Sequence, residues 1–128
     1  MSSSTKIKVE TREQVIQLMH EGQEKLVAAF ETIDGQAKFK SHTWQHLGGG
    51  GGTAMVLENG NVFEKAGVNV SATYGATVPP SLATQHPGIE GKPYFATGIS
   101  MVLHPQNPYV PAFHANYRYF EAGESDVW

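Results

Sequence analysis

The sequence predicts an α+β domain in which one N-terminal helix precedes an antiparallel β-sheet. Apolar residues recur at helical spacing in the first third of the chain, whereas later segments alternate apolar and polar residues with a period of two. The 14 glycines and 7 prolines are clustered, and these clusters predict loops between the strands. At 128 residues, the chain has the length of one domain, residues 1–128.

The predicted helix covers residues 11–34 and follows a flexible start at residues 1–10. Its apolar residues recur at steps of three, four or seven and form one stripe, which consists of Val15, Met19, Leu26, Ala29, Phe30 and Ile33. Thr11 followed by Gln14 resembles a capping box at the start, and Asp34 with Gly35 supplies an end signal. A single apolar stripe predicts that this helix covers a sheet.

Antiparallel strands are predicted over residues 53–121. The segment MVLE, then Asn59 and Gly60, then NVFEKAGVNVSATYG form a hairpin with a two-residue turn. Two further strands, Tyr94–Leu103 and Ala112–Glu121, flank the proline-interrupted loop HPQNPYVP. The final DVW resembles the beginning of another strand, so we expect a domain that is C-terminally incomplete.

Composition excludes several classes of function. Zero cysteines exclude disulfides, thiolate metal sites and a cysteine nucleophile. A net charge of -3 argues against nucleic-acid binding and against a polybasic membrane surface. No segment approaches the roughly 18 apolar residues of a membrane span, and the N-terminus lacks the apolar stretch of a secretory signal. We therefore predict a cytoplasmic protein without a membrane span.

One face of the last two predicted strands has the residue types of a shallow pocket. Alternation places His114, Asn116 and Arg118 on one face of their strand. The preceding strand has only small residues on the corresponding face, which leaves room for a ligand. A near-symmetric hairpin predicts three pairs, Ser100 with His114, Gly98 with Asn116 and Ala96 with Arg118.

These polar residues also fit a solvated face, which antiparallel sheets commonly expose. The guanidinium of Arg118 suits a carboxylate, but a surface ion pair with Glu121 or Glu124 is the alternative. His104 and His114 suit metal binding or proton transfer, although two histidines at this separation are a weak metal signal.

The run of five glycines, Gly48–Gly52, lacks the Lys and the Ser or Thr of a phosphate-binding loop. It therefore predicts a mobile loop or a close approach of the backbone to a ligand.

Three long segments resemble the oxygen-dependent coproporphyrinogen-III oxidases of haem biosynthesis: GGGGGTAMVLENGNVFEKAGVNVS, YFATGISMVLHPQNPYVP and FHANYRYFE. The resemblance runs from about Trp44 to the last residue. It implies a homodimer whose subunit is a large, flat antiparallel sheet flanked by helices, of which this chain holds the N-terminal portion. The implied reaction is oxidative decarboxylation of the two propionates of coproporphyrinogen III to vinyl groups, which gives protoporphyrinogen IX with molecular oxygen as the acceptor.

The resemblance also implies roles for individual residues. Ser100 and the segment Asn116, Tyr117 and Arg118 correspond to substrate-binding positions, and His114 corresponds to a proton donor. No organic cofactor is implied, and His104 with His114 would bind any divalent metal. Bacterial members often have arginines just after the glycine run, where this chain has Thr53–Met55.

Family members are more than twice as long as this chain, so we expect negligible turnover from these 128 residues alone. Two other interpretations remain: a shortened, non-catalytic paralogue that binds a tetrapyrrole or a protein partner, and a generic small-ligand domain. Family members occur in the cytosol and in mitochondria.

Overall fold

The computed structural model describes residues 3–123 and 126–127 of the chain. It has a long helix α1 (Ser3–Asp34), a short helix α2 (Pro80–Gln85) and six strands. The strands are, in chain order, β1 (Lys40–Gln45), β2 (Gly50–Glu58), β3 (Phe63–Gly75), β4 (Tyr94–Pro105), β5 (Phe113–Ala122) and β6 (Asp126–Val127). Each strand pairs antiparallel with the next, so the order in the sheet is the order in the chain. The predicted α+β class, with a helix before an antiparallel sheet, is confirmed.

Helix α1 lies across β3 and β4 and buries one face of the sheet. We call this the helix face and its reverse the open face. On the helix face, the buried core consists of Val68, Val70, Ile99 and Met101, and α1 packs Met19, Leu26, Val27 and Phe30 against it. Burial of these apolar side chains is the main favourable contribution to the docking of α1.

The short helix α2 packs on the open face, at the end of the sheet where β4 begins. Its buried Ala83 belongs to a second core cluster with Val78, Ile89, Phe120 and Ala122. The stacked rings of Tyr94 and Phe120, with centroids 5.5 Å apart, lie at the edge of this cluster. The remainder of the open face has no helix over it among the described residues.

Several predicted boundaries were wrong. Helix α1 begins at Ser3, so residues 3–10 are helical and Thr11 lies inside the helix; its predicted end at Asp34 was right. Helix α2 was missed because Pro79 and Pro80 were interpreted as loop residues, although proline is well suited to the first turn of a helix.

Strand β1 was also missed. All six of its residues, KSHTWQ, are exposed, so the segment does not alternate apolar and polar side chains. Strand β2 begins at Gly50, inside the glycine run, which is therefore part strand and part turn.

The β2–β3 hairpin is confirmed, but its tight turn is at Asn61 and Val62 and not at Asn59 and Gly60. The N–H of Gly60 donates to the carbonyl oxygen of Phe63, which leaves residues 61 and 62 at the tip. The buried carboxylate of Asp34, at the end of α1, accepts the N–H groups of Asn61, Val62 and Phe63 at 3.0 Å each. Because this charged acceptor satisfies the turn's donors, it fixes the turn position.

A second polar contact joins α1 to strand β5 on the helix face. Glu121 of β5 is only 1% exposed and accepts hydrogen bonds from Arg12 Nε at 3.0 Å and from the Tyr119 hydroxyl at 2.8 Å. The Arg12 guanidinium also lies 5.3 Å from the centre of the Phe95 ring. Asp34 and Glu121 thus hold the two halves of α1 on the sheet.

Among the described residues, no helix combines the length and apolarity that crossing a membrane requires.

Candidate active site

The open face brings together most of the residues predicted to bind a ligand. His104, Ser100 and Gly98 of β4 and His114, Asn116 and Arg118 of β5 all project from it, because residues of equal parity share a face. Ser100 is half-buried, whereas His114, Asn116 and Arg118 are exposed and available to a ligand. The predicted grouping on one face therefore follows from the strand geometry.

The predicted pairing of β4 with β5 was wrong by two residues. Ser100 lies opposite Asn116, Gly98 opposite Arg118 and Val102 opposite His114. The end of β4 is held by the neighbouring hairpin, since the Gln106 N–H donates to the Val62 carbonyl at 2.8 Å and its side chain donates to the Gly60 carbonyl at 3.1 Å. A symmetric hairpin between β4 and β5 alone does not include this constraint.

A cavity of about 230 Å³ lies between α2 and the open face, beside Arg118. The sheet surface next to Arg118 is low because Gly98, the residue directly opposite Arg118 on β4, has no side chain. A Cβ atom at position 98 would lie 2.7 Å from the Tyr117 carbonyl oxygen, so glycine is needed at this point. Besides Arg118 and Gly98, the lining residues are Ser71, Thr73, Pro79, Leu82, Tyr94, Ala96, Thr97 and Phe120.

Arg118 does not pair with Glu121, because the two side chains project from opposite faces of the sheet. Glu121 lies on the helix face, where it binds Arg12 and Tyr119. The other alternative partner, Glu124, lies outside the described residues. An exposed guanidinium at the edge of a cavity can donate two parallel hydrogen bonds to a carboxylate.

Tyr117 lies apart from the other predicted substrate-binding residues. It projects from the helix face next to Ile99 and is 65% exposed. A strand alternates its side chains, so Asn116, Tyr117 and Arg118 cannot all project from one face.

His104 and His114 are neighbours on the open face but do not by themselves complete a metal site. His114 lies opposite Val102, two residues before His104 on β4, which makes the imidazoles diagonal neighbours at about 7–8 Å between Cα atoms. Within residues 3–123 and 126–127, no group of three or more histidine and carboxylate side chains could hold a metal ion. The donors present can therefore supply two ligands of the three or four that metal sites commonly use.

Two further open-face residues were not selected from the sequence. Asn69, on the central strand β3, is exposed and lies directly opposite Ser100. Trp44, on the edge strand β1, lies directly opposite Gly52. An asparagine inside a strand is unfavourable for pairing, and this was the available signal for Asn69; Trp44 could not be placed while β1 was unrecognised.

Comparison with known proteins identifies the family. A family model described as coproporphyrinogen III oxidase matches residues 14–128. The chain belongs to this family. This confirms the resemblance of the three segments.

Several curated relatives have the name oxygen-dependent coproporphyrinogen-III oxidase. That of Prochlorococcus marinus strain NATL1A is 49% identical over 118 residues, which are 92% of this chain and 33% of the relative. That of strain MIT 9515 is also 49% identical, with 92% of this chain and 34% of the relative covered. That of Synechococcus sp. strain CC9902 is 50% identical over 106 residues, which are 83% of this chain and 29% of the relative. The chain thus spans about a third of the length of the curated relatives it matches.

Proposed function

We propose that this chain is part of an oxygen-dependent coproporphyrinogen-III oxidase and that its open face forms one wall of the substrate site. The reaction is the oxidative decarboxylation of the two propionates of coproporphyrinogen III to vinyl groups. For each propionate, a hydride equivalent leaves the carbon next to the pyrrole and the carboxylate leaves as carbon dioxide. Molecular oxygen accepts the two electrons and, with one further proton, becomes hydrogen peroxide.

One observation carries the proposal. Ser100 faces Asn116, and Arg118 projects from the same surface beside a cavity of about 230 Å³. A hydroxyl, a carboxamide and a guanidinium are the donors that suit a substrate with four carboxylates. The family to which the chain belongs uses that substrate according to the names of the relatives.

The residues take different parts in this proposal. Arg118 binds a propionate carboxylate that does not react, and Asn116 with Ser100 orients the adjacent pyrrole. His114 supplies the proton that completes hydrogen peroxide, because imidazole is the side chain that exchanges protons near neutral pH. Catalysis on this face is then chiefly the positioning of substrate and charge. No step is assigned to a divalent metal or to Tyr117, which projects from the opposite face.

The proposal extends to assembly and compartment. We propose a homodimer in the cytoplasm. In support of a dimer, all residues of the edge strand β1 are exposed, and its free backbone groups can pair with another strand. In support of the cytoplasm, the chain has no cysteine, as suits a reducing compartment.

The test combines intact mass with two assays on the protein purified from its own cells. The mass states how much chain accompanies these 128 residues. Aerobic incubation with coproporphyrinogen III is followed by protoporphyrin fluorescence, and anaerobic binding is followed by equilibrium dialysis. We expect binding in every case and turnover only where further chain is present.

The substitution Arg118→Ala should weaken binding about 10-fold or more, because hydrogen bonds to charged groups contribute about 1.5–3 kcal/mol. Arg118→Lys should recover part of this loss. The exposed Lys25 on α1 is a matched control, and Lys25→Ala should leave binding unchanged. Binding without turnover from a longer chain would favour the non-catalytic paralogue. Equal binding by wild type and Arg118→Ala would remove the proposed site.

A further inference from the structure

The edge strand β1 places the exposed indole of Trp44 on the open face. Strands β2 and β3 separate it from the candidate site residues on β4 and β5. Trp44 is 42% exposed and pairs in register with Gly52 of β2. A Cβ atom at Gly52 would lie 2.5 Å from the indole Cζ2, so the ring lies directly on the glycine backbone. The indole therefore covers the backbone of Gly52 at the β1 edge of the open face and leaves part of the ring exposed.

Trp44 and Arg118 are the two ends of one continuous row across five strands. The register gives Trp44, Gly52, Ser71, Gly98 and Arg118 as successive cross-strand neighbours. Four interstrand spacings of about 4.8 Å place the end residues about 19 Å apart at the backbone. Between them are only two glycines and one serine, and we call this low segment the trough.

The rows on the two sides of the trough differ. On one side are Ala54, Asn69 and Ser100, and on the other Thr73 and Ala96 line the cavity beneath α2. The trough is consequently a low floor three strands wide, with an aromatic wall on β1, a cationic wall on β5 and α2 along one side. A small carboxylate bound to Arg118 cannot reach Trp44 across this floor.

The two walls differ in chemistry, and together they define a ligand class. The guanidinium of Arg118 suits a peripheral carboxylate, and the indole suits the face or edge of another π-system. A ligand that contacts both is broad and carries acidic groups around an aromatic body. A tetrapyrrole with propionate side chains has these features.

We propose that Trp44 contacts a pyrrole ring of the substrate and that the tetrapyrrole lies across the trough from Trp44 to Arg118. The inference rests on the proposed function and adds a residue that determines ligand size. The competing role for Trp44 is structural, because an aromatic ring over a strand glycine also stabilises the strand pair.

The experiment compares two probes on the full chain. Coproporphyrin III spans the trough, whereas a monopyrrole dicarboxylate reaches only Arg118. Trp44→Ala should weaken coproporphyrin binding about 10-fold, as expected for loss of a ring contact, and should leave the monopyrrole unchanged. Trp44→Phe should bind coproporphyrin within about 3-fold of wild type because it retains a ring.

Two controls separate contact from structure. Thr43→Ala changes the neighbouring exposed residue on the helix face and should change neither affinity. Trp44→Leu keeps an apolar cover over Gly52 without an aromatic face, and it should fold as wild type in circular dichroism while losing coproporphyrin affinity.

Wild-type coproporphyrin affinity in Trp44→Leu or Trp44→Ala, together with a loss in Arg118→Ala, would overturn the role of Trp44 and leave the proposed function standing. Absence of coproporphyrin binding by the wild-type chain would overturn both.

Discussion

The contact between Arg12 and Glu121 gives the clearest prediction about stability. Glu121 is 1% exposed, and the Arg12 side chain that binds it is 27% exposed. Arg12→Met keeps a long apolar side chain over Phe95 but removes the guanidinium. Glu121 then remains buried beside the Tyr119 hydroxyl, which donates to it at 2.8 Å. Loss of one partner of a buried ion pair costs about 3–5 kcal/mol.

We expect the lower end of this range, about 3 kcal/mol, since water reaches the Arg12 side of the pair. For a chain of this size, that corresponds to a decrease of roughly 10 °C in Tm. The free energy of unfolding is measured by urea titration, with circular dichroism as the signal. Adding Glu121→Gln to Arg12→Met should restore more than about 1 kcal/mol, because the amide removes the buried charge and still accepts the Tyr119 hydroxyl.

The exposed pair between Lys65 and Glu58 is the matched control. Its atoms are 3.9 Å apart and both side chains are more than half exposed, at 63% and 60%. Glu58→Gln should therefore cost less than about 0.5 kcal/mol. If Arg12→Met costs no more than Glu58→Gln, the argument that burial makes the Arg12 contact important is refuted.

Four other predictions concern pH and glycine. Backbone N–H groups hold the pKa of Asp34 well below its unfolded value of 3.8, so its stabilisation is present above that value and is lost as pH falls below about 4; Asp34→Asn should flatten this acid dependence in urea titrations. Burial and the hydrogen bond to Glu121 raise the pKa of Tyr119 from 10.0 to about 12, so stability should decline as pH rises through that interval, and Tyr119→Phe should reduce the decline. Gly22→Ala should raise the unfolding free energy by about 0.5–1 kcal/mol, because the added methyl would lie 3.7 Å from Ile99 Cδ1 in ordinary contact. Gly60→Ala should lower the unfolding free energy, since the added methyl would collide with Asp34. A destabilised Gly22→Ala would contradict this account of the helix–sheet contact.

Much of the open face was predictable because alternate residues of a strand always lie on the same face of the sheet. His114, Asn116 and Arg118 were assigned to one face, and the structure agrees. The pairing of these residues was not predictable from β4 and β5 alone. It depends on Gln106, which binds the turn of a different hairpin.

Strand β1 was not predicted, for a different reason. Every residue of β1 is exposed, so the sequence contains no alternation of buried and exposed positions there. Strand formation at this edge depends on hydrogen bonds to β2, which places Trp44 beside Gly52. The sequence alone therefore could not indicate that Trp44 and Arg118 belong to one row.

The amino-acid sequence by itself determined the α+β class, the end of α1 at Asp34, the existence of the β2–β3 hairpin and the family, because periodicity and motif segments are local properties of the chain. Tertiary structure decided the strand register, the burial of Asp34 and Glu121, and the trough across five strands. The physical reason is that register and burial depend on contacts between segments far apart in sequence, such as Asp34 with residues 61–63 and Arg12 with Glu121. Such contacts exist only once α1 has packed on the sheet.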